Sequence, residues 1–242
     1  GVQATAARRK GQGRHDEMAV ALNAGLLVVV CVAPILSGIL YNLAPVFYPY
    51  LVEDPEVVAL GVPYLQFRIL AIVFVATNFA FRGYWNAVDR SRLYMITLLI
   101  MHTCNILINY VLIFGKFGFP ELGVTGAGIG TAISTVIGAS LYIFLGFKFA
   151  RGEKFFQKMP TRRDISQIVR LSIPTGIQQF FFSAGMTMMY WIIAQIGTAE
   201  LAAASVLINV TLIALLPGMA LGIAAATLVG QALGRSEPDD AK

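Results

Sequence analysis

The sequence predicts an all-α, polytopic membrane protein with about six complete transmembrane helices. Three observations predict it. Of 242 residues, 57% are hydrophobic and only 13% charged, and the mean hydropathy is +0.71, a balance foreign to soluble domains. The apolar residues fall in long runs, and about 20 residues at about 1.5 Å each cross a hydrocarbon core of roughly 30 Å. The net charge of +5 sits in short basic turns between the runs, which fits membrane topology and argues against nucleic acid as a partner.

Residues 1–7 are small or apolar and lead into Arg8-Arg9-Lys10 and Arg14, the end of a spanning helix entering a basic loop. The chain opens Gly-Val-Gln with neither an initiator Met nor a signal-peptide pattern, and reads as a piece of a longer one. Residues 18–40 form the first complete span, with Asn23 near one end and Pro34 inside, where a kink is expected. Residues 41–56 hold Pro45, Pro49 and Pro55 and the acids Glu53, Asp54 and Glu56 without a base, a loop on the opposite side. Residues 57–87 make the next span, carrying Pro63, Arg68, Asn78 and Arg82 and closed by Asp89-Arg90-Ser-Arg92.

Residues 93–115 and 123–147 form a hairpin of two spans about a turn at Phe119 and Pro120. The first arm has no charged residue and sets His102, Asn105 and Asn109 three and four apart, on one helical face. A polar group facing lipid costs several kcal/mol, so that face turns to other helices or to a watery cavity. The second arm opens on Gly123, Gly126, Gly128 and Gly130, spacing that lets another backbone come close. Its Thr131 and Thr135, one turn apart, are expected to bond their own helix carbonyls.

Residues 148–165 form a basic linker with Lys148, Arg151, Lys154, Lys158, Arg162 and Arg163. Residues 166–194, with Pro174, Gln178 and Gln179, and residues 201–229, with Asn209 and Pro217, are the last two spans. Apart from Arg68 inside its span, the basic residues, through Arg170, Arg235 and Lys242, fall on one side against Lys116 alone on the other. The basic side is therefore expected to face the cytoplasm. Cys31 and Cys104 lie within apolar runs and imply neither a disulfide nor a metal site. Ala4-Thr5, Gly13-Arg14 and Ala19 echo Ala226-Thr227, Gly234-Arg235 and Ala241, so that one repeat of about six helices fits between the copies.

Asn105-Ile-Leu-Ile-Asn109, Phe114-Gly, Pro120-x-Leu-Gly-Val-x-Gly-Ala and Thr131 resemble the fifth and sixth helices of the multidrug and toxic compound extrusion (MATE) family, nearest its DNA-damage-inducible branch. Tyr64-x-x-x-Arg68, Arg82-Gly83 and Asp89-x-x-Arg92 resemble its fourth helix, and Pro174-Thr-Gly-Ile-Gln178-Gln179 and the run to Gly234 its seventh and eighth. The resemblance implies a two-lobed bundle of inverted or repeated six-helix units, truncated here to about six complete transmembrane helices, with residues 1–147 as an N-terminal lobe (end of helix 2, helices 3 to 6), residues 148–165 as a basic cytoplasmic linker, and residues 166–242 as the start of a C-terminal lobe (helices 7 and 8). It implies a multi-pass inner (plasma) membrane transporter, monomeric at full length, that exports small amphipathic or cationic compounds by alternating access in antiport with H⁺ or Na⁺, with no cofactor beyond that ion.

For the family's first-lobe cation site the resemblance carries an Asn to Asn105 and a Thr to Thr131, whereas Asn109 stands where the family has an Asp. An amide offers an oxygen to a hard cation but no charge. A substrate cavity would be lined by Gln178, Gln179, Met186, Tyr190 and Asn209, with Arg68 and His102 as further candidates. His102 reads first as a packing residue, and Arg68 needs a partner or an interface at its depth. No acid lies at mid-membrane depth, so no catalytic residue is assigned. Two alternatives stay open: a flippase of lipid-linked saccharide from the same superfamily, and a membrane-embedded enzyme.

Overall fold

The computed structural model describes residues 1–52 and 54–236. Glu53, Ala241 and Lys242, on which parts of the outer-loop, repeat and sidedness readings fall, lie outside them. The described residues form eight helices, α1 (Val2–Gly11), α2 (Met18–Phe47), α3 (Pro55–Leu70), α4 (Ile72–Ala87), α5 (Ser91–Phe114), α6 (Gly123–Phe149), α7 (Arg162–Ala194) and α8 (Thr198–Arg235), with short 3₁₀ turns between some of them and no strand. Helices α2, α5, α6 and α8 are each long and apolar enough to cross a bilayer, and α3 and α4 meet the same measure of length and apolarity when taken together as a bent pair. Helix α7 has the length, but Gln178, Gln179 and small polar residues dilute its apolar run.

Two boundaries differ from the sequence reading. Helix α2 runs through both Pro34 and Pro45 to Phe47, so the loop expected from residue 41 begins seven residues later. Pro45 has no N–H for the carbonyl of Tyr41, and the Gln66 amide donates to that carbonyl instead at 3.3 Å. The span at residues 57–87 is not one rod. It bends by 46° at Ala71, eight residues past Pro63. Ser37 of α2 donates to the Ile69 carbonyl beside the bend at 3.0 Å, supplying a donor where the helical ladder is interrupted.

The core lies at the basic end. Small residues of α1 and α2 (Ala6, Ala7, Ala19, Ala21) let these helices close on α4, whose Phe81, Tyr84 and Trp85 fill the space between them. Phe81 stacks on Tyr142 of α6 at 5.5 Å between centroids and meets Phe155 edge-on at 5.7 Å. Away from this core, apolar side chains such as Met95, Leu99, Ile106 and Leu107 of α5 face outward, as a hydrocarbon solvent requires.

The linker is shorter and more fixed than its polarity suggests, because α6 extends to Phe149 and α7 starts at Arg162. Between them Asn23 of α2 grips the chain. Its Nδ2 donates to the carbonyls of Lys154 and Lys158, each at 3.0 Å, and its Oδ1 accepts from the Phe156 amide at 3.1 Å. Phe155 is buried beside Gly146, and the buried Glu153 accepts from the Tyr84 hydroxyl and pairs with Arg90 at 3.0 Å. Lys154 pairs with Asp16 at 2.8 Å and Lys158 with Glu17. Helix α7 then starts in a capping box made by Thr161 and Asp164.

Helix α1 packs along the end of α8, so the two segments that echo each other in sequence meet in space. Gln3 donates to Thr227 Oγ1 at 2.9 Å and to the Ile223 carbonyl at 3.1 Å. Gln231 donates to the Ala87 carbonyl and to Asp89, both at 3.1 Å, and Lys10 pairs with Asp89. Burial pushes the Asp89 carboxyl up, but hydrogen bonds from Lys10 and Gln231 outweigh it and hold the group below its ordinary value.

Candidate functional site

Of the residues singled out in the sequence, the structure gathers Asn105, Asn109 and Thr131 where α5 crosses α6. Asn105 Nδ2 donates to Thr131 Oγ1 at 3.3 Å and to Ser134 Oγ at 3.1 Å. Asn109 Nδ2 donates to Asn105 Oδ1 at 3.3 Å. The crossing is close because Gly130 faces Asn109: a β-carbon at residue 130 would strike the Asn109 Oδ1. Thr131 donates to the Ala127 carbonyl at 2.8 Å, and Thr135 to the Thr131 carbonyl at 2.7 Å, the local bonds expected of threonines in apolar helices.

This chain of amides and hydroxyls ends on one free acceptor. Asn109 Oδ1 is buried without a hydrogen-bond partner. Asn78 of α4, which donates to the Thr135 carbonyl at 3.3 Å, also has a buried, unpaired Oδ1, but it packs by Met101 and Gly138, about two turns along both helices from Asn109. One residue that the sequence did not assign to a site, Ser134, therefore belongs to the cluster. Ser134 gave no signal among the small residues of α6.

The donor set is neutral oxygen. It suits a hard monovalent cation through dipoles, with Asn109 Oδ1 as the atom free to ligate, but it brings no formal charge. Among the described residues there is no group of three or more His, Cys, Asp or Glu able to hold a metal ion.

The cavity candidates are not drawn into this cluster. Helices α7 and α8 pack on α1, α2, α4 and each other rather than on α5 or α6. Gln178, Gln179 and Asn209 are exposed and Met186 and Tyr190 half-buried; Asn209 donates to the Ser205 carbonyl of its own helix at 2.8 Å. His102 is exposed, one turn from Asn105. Arg68 is exposed on the wall of a cleft of about 260 Å³ that Asn78, Arg82 and Tyr94 also line, with the Arg82 guanidinium 5.5 Å from the centre of the Tyr94 ring.

The MatE family model matches residues 1–111 and 174–242. The probable multidrug resistance protein NorM of Thermotoga maritima is 30% identical over 199 residues, which cover 81% of this chain and 41% of that protein. The protein of the same name from Aromatoleum aromaticum is 30% identical over 245 residues, covering 98% and 52%. The chain thus spans about half the length of the curated relatives it matches. Among solved structures, a MATE crystal structure in the bent conformation aligns with a TM-score of 0.82 at 19% identity, over 99% of this chain and 54% of that one. An outward-facing multidrug resistance MATE family transporter aligns at 0.82 with 17% identity, over 99% and 53%. The two parts matched by the family model include nearly all of α1 to α5 and most of α7 and α8, and on that match the chain belongs to the MATE family.

Proposed function

We propose that the protein is a secondary active efflux transporter that exports small amphipathic or cationic organic compounds by alternating access, in antiport with H⁺ or Na⁺, as a monomer in the inner membrane. Residues 1–147 and 166–242 belong to two lobes, joined by the linker, with the basic end in the cytoplasm. Members of the family are transporters, so the embedded-enzyme alternative is set aside. The names of the multidrug resistance relatives support the substrate class, and the DNA-damage-inducible branch remains the one its motifs resemble.

The observation that carries the reading is where α7 and α8 are held. Their buried residues, Ile168 in α7 and Thr227, Gln231, Ala232 and Gly234 in α8, all lie at the basic end. In this reading the lobes meet on the cytoplasmic side, and Gln178, Gln179, Met186, Tyr190 and Asn209 line a cavity beyond that contact. Such a state accepts an outside cation and releases substrate outward. Asn105, Asn109 and Thr131 serve as the first-lobe ion site, with the free Asn109 Oδ1 as its ligating atom.

The test is efflux of a fluorescent cationic dye from vesicles holding the complete protein, under an imposed Na⁺ or H⁺ gradient. Gradient-driven efflux supports the antiporter. Movement of a lipid-linked saccharide without dye efflux supports a flippase instead, a reading favoured by the two arginines, Arg68 and Arg82, that line one cleft.

A further inference from the structure

We infer that the cleft between α1, the linker and the start of α7 binds an anionic phosphate group, held by Arg8, Arg163 and the Thr5 hydroxyl. The cleft is about 420 Å³ and lies at the basic end, apart from the Asn105 cluster. Its carboxylates are already engaged: Asp164 pairs with Arg9, and Glu17 with Arg14 and Lys158. Two cations of the lining remain. Arg8 comes from α1 and Arg163 from α7; both are exposed, and neither side chain makes an ion pair or hydrogen bond among the described residues.

A second observation points to a ligand. Thr5 is 3% exposed, lines the same cleft, and its Oγ1 has no hydrogen-bond partner. Thr131 and Thr135 of α6 and Thr175 and Thr187 of α7 each bond a carbonyl one turn back, so an unpaired hydroxyl here departs from the habit of this fold. A phosphate accepts several hydrogen bonds at once. Two guanidinium forks meet its oxygens bidentately, and a hydroxyl completes the set. The site also lies where phosphates are found, since the basic end of a spanning bundle sits at headgroup depth. The phosphate could belong to the headgroup of an anionic lipid or be free in the cytoplasm, and in both cases it would tie α1 to α7.

The complete protein, purified in neutral detergent, is titrated with dioleoylphosphatidylglycerol, with dioleoylphosphatidylcholine and with inorganic phosphate, reading the thermal midpoint and the bound mass by native mass spectrometry. Phosphatidylglycerol should bind and raise the midpoint where phosphatidylcholine does not. Arg8→Gln with Arg163→Gln should weaken that binding about tenfold or more for each arginine lost, because charge-assisted hydrogen bonds are the strong ones. Thr5→Val keeps the packing volume and should weaken binding less. An equal response to inorganic phosphate, lost in the same variants, assigns the site to a soluble phosphate. The inference is overturned if neither anion binds, or if the double arginine variant binds phosphatidylglycerol as wild type does.

Discussion

Gln3 donates to Thr227 across a seam whose two walls echo each other in sequence. Gly11 faces the Gln231 carbonyl there and Gly234 faces the Arg8 carbonyl, each so close that a β-carbon would collide with backbone. The seam is therefore a backbone-to-backbone crossing, made reciprocally by one glycine from each helix.

A wedge at this crossing should open it. Gly234→Leu is expected to lower stability by about 1–3 kcal/mol, the usual range for overpacking. With Cys31→Ser and Cys104→Ser as background, cysteines placed by Gln3→Cys and Thr227→Cys should be joined by a short bifunctional thiol reagent. Adding Gly234→Leu should suppress the product. Undiminished cross-linking would mean that the seam tolerates the side chain and does not set the closed state.

Asn109→Asp tests the ion site. The substitution adds a charge where a buried amide oxygen has no partner, so Na⁺ or H⁺ dependence of dye efflux should appear or steepen. Gly130→Ala places its β-carbon against that oxygen and should weaken coupling without adding charge, at about 1–3 kcal/mol in stability. Coupling that is unmoved by either change would place the ion elsewhere.

Asn23→Ala should release the linker. The side chain makes three hydrogen bonds to it, and its loss leaves two carbonyls and an amide without their partner. A net cost of about 2–4 kcal/mol follows from bonds worth roughly 1 kcal/mol each plus partly orphaned groups. Limited proteolysis should then cut between residues 154 and 161 in the variant and spare the wild type; equal cutting would show that Phe155 and the ion pairs suffice.

The helices were legible in the sequence because a bilayer demands long apolar runs, and the Asn105–Asn109 pair was legible because a four-residue spacing puts both amides on one face. What the sequence hid was carried by partners far along the chain. Pro45 reads as a loop residue until Gln66 is seen serving the carbonyl it orphans. The bend at Ala71 carries no proline of its own and shows only when Ser37 meets Ile69. Asn23 looked like one polar residue at a helix end, and its grip on Lys154 and Lys158 spans more than a hundred positions. The candidates on α7 and α8 could be named by residue type, but residue type does not bring them together: the buried residues of these helices, among those described, lie at the basic end.

Acid should loosen that end, and the sign can be worked out. Arg9 joins α1 to the start of α7 through Asp164 and also donates to the Glu17 carbonyl at 3.2 Å. Burial pushes the Asp164 carboxyl up, but hydrogen bonds from Thr161 and the Arg9 guanidinium outweigh it and leave the group below its ordinary value. Asp89 is depressed in the same sense. The folded state thus binds these protons less readily than the unfolded chain, whose Asp titrates near pH 3.9. Their stabilisation is fully present above about pH 5, flat through neutrality, and lost as pH falls through the depressed values. The thermal midpoint of the complete protein should be level from about pH 6 to 8 and drop below about pH 4. Asp164→Asn leaves a largely buried guanidinium with only a carbonyl for company and should cost about 3 kcal/mol at neutral pH, while flattening the acid limb. A double-mutant cycle with Arg9→Gln should return a coupling of about 1–3 kcal/mol at pH 7 that declines as pH falls below about 4; a coupling unchanged by acid would assign the closure to packing at the seam rather than to this ion pair.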